Sequence, residues 1–224
     1  MPVRRMSDVF LDVCTQRDYL GSRGTHRAIN ADRALANIKH LMAFARWASI
    51  PTLSCVDVCR AHDPYGTHTP YCVAGTEGQR KVRYSLLPDR VVVESDNCLC
   101  VSLDLFQQHQ QAILVKEHRD PFTNPKLDRL LTELRTRRYI IFGVSLETSI
   151  RLLVLGLLLR HRKVTLVADA CGYWSVAEAD MALRQLAAKG CQMVTARELI
   201  ETRRARIRRP KRQLLRGRRR RFVA

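Results

Sequence analysis

At 224 residues the chain has room for one well-buried domain and an appendage, and too little for two ordinary domains with separate cores. Hydrophobic residues make up 46% and charged residues 27%, the balance of a soluble globular domain, and the most apolar helical run, residues 150–159, is far shorter than the ~20 residues a bilayer needs. The net charge of +18 is uneven: residues 203–221 hold twelve Lys or Arg and no acid, and removing those twelve leaves +6 for everything else. The chain therefore divides into a domain, 1–201, and a basic tail, 202–224.

The start, Met1-Pro2-Val3-Arg4-Arg5-Met6, leads directly into strand-like sequence without the apolar stretch and cleavage site of a secretory signal. The expected location is the cytoplasm. Residues 9–13 form a compact apolar run broken by Asp12, as expected of a strand covered on both faces, with Asp12 near its carboxyl end. Residues 30–48 carry Leu35, Ile38, Leu41, Met42 and Phe44 at helical spacing, with Asn30 as the N-cap. A second strand, 52–58, opens into a His-, Asp-, Pro- and Gly-rich loop that runs to about Gly78, and long loops at strand ends are commonly functional.

Further strands are expected at 90–94, 112–116, 139–144, 163–168 and 191–195, and helices at 125–136, 145–161, 176–189 and 196–206. Strands alternating with helices imply right-handed βαβ units, hence a three-layer αβα, Rossmann-like α/β fold on a mostly parallel sheet of about six strands. Sites in such sheets gather at the carboxyl ends of the strands, where Asp12, Asp57, Lys116 and the turn 143–149 all fall. The eight cysteines lie mostly in apolar runs and read as buried thiols, with Cys98-Leu99-Cys100 as a strand fragment.

Four segments, in order, carry a resemblance. They are the strand and turn from Phe10-Leu11-Asp12 to Gln16-Arg17-Asp18-Tyr19, the lysine segment from Lys116, the turn Gly143-Val144-Ser145-Leu146-Glu147-Thr148-Ser149-Ile150, and Asp169-Ala170 after a late strand. Together they resemble the isochorismatase-like and nicotinamidase-like cysteine hydrolases from about Val9 to Leu199, with Ser149 where that superfamily places its nucleophilic cysteine. The resemblance implies a catalytic triad of Asp12, Lys116 and the residue at 149, with backbone N–H groups of Ser145 and Ser149 as oxyanion hole and a typically cis peptide before Ser145. Gln16, Tyr19 and His68 would line the substrate site.

The implied function is hydrolysis of a small amide or related carbonyl compound, weakened or altered by Ser149. A thiol with a pKa near 8.5 ionises at modest cost, and an alcohol lies several units higher. Asp57-Val58-Cys59 stands where nicotinamidases carry an Asp-x-His metal pair, and Pro70-Tyr71-Cys72-Val73 where they carry another histidine. A degraded site of Asp57, Cys59 and His62 would suit zinc or another divalent ion by ligand type. The alternative is a catalytically inactive member that serves as an interaction module, its basic residues 203–221 binding nucleic acid or another polyanion without sequence selectivity. Relatives often form homo-oligomers.

Overall fold

The protein is described here from a computed structural model covering residues 6–59, 70–93 and 98–208. Its strands are β1 (Val9–Val13), β2 (Thr52–Asp57), β3 (Arg90–Val93), β4 (Gln111–Lys116), β5 (Tyr139–Val144), β6 (Val164–Gly172) and β7 (Gln192–Val194). They form one sheet in the order β3-β4-β2-β1-β5-β6-β7, and every pairing is parallel. All seven segments read as strands enter this sheet, in place of about six, and it is wholly parallel. The described helices are α1 (Arg17–Leu20), α2 (Ala31–Trp47), α3 (Leu105–Gln108), α4 (Pro125–Glu133), α5 (Arg151–Leu159), α6 (Val176–Ala188) and α7 (Ala196–Arg208). Residues 98–100 are outside any strand, and both Cys98 and Cys100 are exposed, against the expected strand fragment.

The central strands β1 and β5 are buried on both faces, as their predominantly apolar sequences require. In β1 the period-2 alternation sends Leu11 and Val13 toward Leu127, Leu131 and Leu153 of α4 and α5. On the opposite face α2 packs beside α7, with Phe10 edge-on to Phe142 at 5.6 Å between ring centroids. Asn30 begins α2 without capping it through its side chain. Its amide instead donates to Cys171 O (2.9 Å) and accepts from Tyr173 N (3.1 Å), pinning the exit of β6. Asp169 behaves similarly, with Oδ1 accepting from Ala196 N at 2.8 Å and so fixing the start of α7.

At the end of β5, Gly143 has φ +126°, and a Cβ there would lie 1.9 Å from Val13 O. Only glycine lets β5 approach β1 closely enough to launch the following turn. Gly143→Ala is expected to lower unfolding free energy by about 3 kcal/mol or more, read from urea denaturation midpoints; a midpoint within 0.3 M of the parent would contradict this.

Candidate active site

The parallel sheet brings the carboxyl ends of β1, β2, β4 and β5 to one edge, and the chemistry gathers there. Lys116, the last residue of β4, is fully buried, with Nζ donating to Ser149 Oγ (3.2 Å), to His118 O (3.1 Å) and to Asp57 Oδ1. Asp57 ends β2 directly beside it in register. Ser149 sits in a π-helical turn (Leu146–Ile150) between β5 and α5, and the Val144–Ser145 peptide before that turn is cis. The side chains of Ser145 and Thr148 hydrogen-bond within the turn, and Ile150 N donates to Ser145 O at 2.9 Å.

The charge partner of Lys116 is Asp57, and Asp12 is held elsewhere. Asp12 alternates to the opposite face from Leu11 and Val13, where Oδ2 accepts from Lys81 Nζ at 2.6 Å and from Ser54 Oγ at 3.0 Å. Lys81 also donates to Thr15 Oγ1 (2.7 Å), and Ser54 Oγ accepts from Gln111 Nε2 (2.9 Å), so Asp12 anchors a buried polar network. The β1 residue in electrostatic reach of Lys116 and Asp57 is Cys14, just past the strand at φ +47°, whose thiol hydrogen-bonds that of Cys55. Burial, more than any partner, drives the Cys14 thiol well above its usual pKa, while the hydrogen bond from Cys14 lowers that of Cys55.

Burial by itself would pull the Lys116 pKa down, but neighbouring groups outweigh it, among them the Asp57 carboxylate and its hydrogen bond, and the net shift is upward. Lys116 is accordingly an ammonium at neutral pH. It is a hydrogen-bond donor to Ser149 and no base for it.

Gln16 clamps rather than lines the site. Its Nε2 donates to Asp57 O and Gln79 O, each at 2.8 Å, and its Oε1 accepts from Asp57 N at 2.7 Å, so the whole amide is spent on backbone. Tyr19 is buried with its hydroxyl on Asp57 Oδ2 (2.7 Å), and burial, then Asp57, push its pKa up. Its ring joins an aromatic cluster that the sequence did not reveal. Tyr71 and Trp174 lie 5.7 and 5.4 Å from Tyr19, and His26 stacks on Tyr71 at 4.5 Å and lies 4.4 Å from Trp174. Glu147 Oε1 accepts from Trp174 N at 2.7 Å, tying this wall to the turn that carries Ser149.

The zinc expectation rested on Asp57, Cys59 and His62. His62 and His68 both lie outside the described residues. Both Asp57 oxygens are occupied by protein donors, one of them an ammonium, and Cys59 is drawn into backbone pairing with the Cys72–Ala74 segment. Among the described residues no cluster of three or more His, Cys, Asp or Glu could hold a metal.

A buried lysine, a serine on a strand-to-helix turn and a carboxylate meet at one carboxyl edge of an α/β fold. The chain belongs to the isochorismatase family: the isochorismatase domain model matches residues 9–198. The fold is similar to that of the nicotinamidase/pyrazinamidase of Bacillus subtilis, with 15% identity, a TM-score of 0.68, and coverage of 84% of this chain and 100% of that one. The pyrazinamidase of Pyrococcus horikoshii, solved in complex with zinc, is 18% identical with a TM-score of 0.66, covering 84% of this chain and 99% of that one. A putative isochorismatase hydrolase from Oleispira antarctica is 14% identical with a TM-score of 0.69, covering 88% and 98%. Among curated protein sequences none matches the chain significantly. Among the described residues no helix is long and apolar enough to cross a membrane.

Proposed function

We propose that the chain slowly hydrolyses a small amide or related carbonyl compound, with Ser149 as nucleophile and Lys116 as the cationic anchor for the substrate. The observation that carries this reading is the 3.2 Å contact from a buried ammonium to the serine hydroxyl at the carboxyl edge. A carbonyl placed there meets Lys116 as a polarising charge, and the backbone N–H groups of Ser145 and Ser149 receive its developing oxyanion. Asp57 balances the lysine charge. Tyr19 and its ring neighbours give one wall an affinity for flat substrates, in keeping with the nicotinamidase-like fold.

Among the described residues the side chain that hydrogen-bonds Ser149 Oγ is the Lys116 ammonium, so the hydroxyl proton passes to water as Ser149 attacks and the reaction is slow; a positioned base is typically worth 10²–10⁴-fold. Ammonia release from nicotinamide and pyrazinamide tests the reading. Lys116→Met and Ser149→Ala are each expected to abolish release to the no-enzyme background, with circular dichroism confirming that both remain folded. Turnover that persists in both variants would defeat it. A second reading, a catalytically silent member that keeps the pocket for binding, draws on the same missing base; wild-type release above the Lys116→Met background excludes it.

A further inference from the structure

In an all-parallel sheet every strand starts at the same edge, opposite the candidate active site, and the segments that enter the strands therefore lie side by side. Here those segments are basic. Arg135, Arg137 and Arg138 precede β5, Arg160, Arg162 and Lys163 precede β6, and Lys189 precedes β7, three strands that are neighbours in the sheet. Helix α7 runs back from β7 to the same edge, where Arg203 pairs with Asp8 just before β1 and Arg204 lies 5.9 Å over the ring of Trp47 at the end of α2.

The acids on this edge leave much of that charge unbalanced. Asp8 is buried between Arg138 and Arg203, Asp128 pairs with Arg160 at 3.0 Å, and Glu133 is engaged by Arg129. Glu201 is held by Arg197 on α7. Arg135, Arg137, Lys163 and Lys189 are exposed, and among the described residues no carboxylate pairs with them. At the end of α2 Trp47 is 60% exposed, an aromatic face already accompanied by the Arg204 guanidinium. The sequence continues from this edge after α7 with Arg209, Lys211 and Arg212.

We infer that the amino edge of the sheet is a docking surface for the phosphate backbone of a nucleic acid. From β1 to β7 the edge spans about 14 Å at the ~4.8 Å strand spacing, and a duplex presents one negative charge per ~1.7 Å of axis, so several phosphates face the four unpaired cations together. Fixed cations on a rigid rim neutralise phosphates and release counterions whatever the base sequence. Trp47 adds a stacking face that only unpaired bases can use. The surface lies away from Lys116 and Ser149, so its test is independent of hydrolysis.

Fluorescence anisotropy of a labelled 20-nucleotide mixed-sequence strand, and of the matching duplex, would be compared for the full chain and R135E/R137E/K163E/K189E, with the tail intact in both. At 100 mM salt the variant is expected to bind at least tenfold more weakly. Its slope of log affinity on log salt should be shallower by up to about three on duplex. The neutral series R135Q/R137Q/K163Q/K189Q should shift the same way by less, which separates lost contacts from added repulsion. Trp47→Ala should weaken the single strand more than the duplex. Equal affinity and slope in parent and charge variants, or no binding by the parent at 50 mM salt, overturns the proposal. Binding to vesicles of anionic lipid with none to either nucleic acid overturns it too.

Discussion

Ser149→Cys is expected to raise amide hydrolysis by on the order of 10²-fold, the largest gain available to a single substitution in this site. A thiol ionises near pH 8.5, several units below an alcohol, and each unit corresponds to about 1.36 kcal/mol. In this position the new sulfur would lie against the Lys116 ammonium, which is held charged. A cation in that place stabilises the thiolate and not the thiol, so the introduced cysteine should titrate below 8.5. The thiolate is the attacking form, so the rate should rise with pH through that pKa and level off above it. Thiolate absorbance near 240 nm and ammonia release, followed across pH 5–10 on the same protein, check both halves. A thiol titrating at 8.5 or higher with no gain in rate would show that Lys116 does not govern this position.

The strand-end Cys14 then offers a further step. It stands in electrostatic reach of Lys116, so a carboxylate introduced there tests whether this position also reaches the nucleophile. Adding Cys14→Asp to Ser149→Cys should increase the rate again by about tenfold or more, and Asp12→Asn in the same background should not lower it. The opposite pattern would return the base to Asp12.

Much of this site was legible before any coordinates, and the parts that were not have physical reasons. Lys116 and Ser149 were singled out because each sits at a strand end within an ordered set of local motifs, and the parallel sheet brings the two side chains within 3.2 Å of each other at one edge. Asp12 was assigned to the triad through the resemblance carried by the first strand and its turn. Facing is decided by alternation along β1, and the turn to positive φ at Cys14 puts that residue, two positions on, in the electrostatic field of Lys116. Lys81 could not be read as the partner of Asp12, because the two are 69 positions apart with no periodic signal between them. The aromatic wall is equally non-local, as Trp174 Nε1 reaches His26 O at 3.1 Å across 148 positions. The tail was visible as a block of charge, whereas the basic rim emerges only once the topology lines up the entries to β5, β6 and β7.

The Asp12–Lys81 pair is expected to produce the largest stability effect in the molecule. Both groups are buried; among the described residues the Asp12 carboxylate keeps one oxygen, Oδ1, without a hydrogen-bond partner, and the Lys81 ammonium donates to Asp12 and Thr15. Taking two charges from water costs several kcal/mol per ion, and their attraction in the interior offsets that only while both are present. Lys81→Met leaves a buried carboxylate with Ser54 as its remaining donor, and Asp12→Leu leaves a buried ammonium with a single hydroxyl. Each single change should therefore cost about 3–5 kcal/mol, a loss large enough to unfold a marginal domain. The double variant D12L/K81M removes both charges and fills the space with apolar volume, so it should recover to within about 1 kcal/mol of the parent or exceed it. Urea denaturation of the four proteins gives the coupling directly as the departure from additivity. Additive losses in the double variant would mean that the two side chains do not form a unit. If the pair is purely structural, the rate per folded molecule of Asp12→Asn should match the parent while its denaturation midpoint falls, whereas a base lost from the reaction would lower the rate and spare the midpoint.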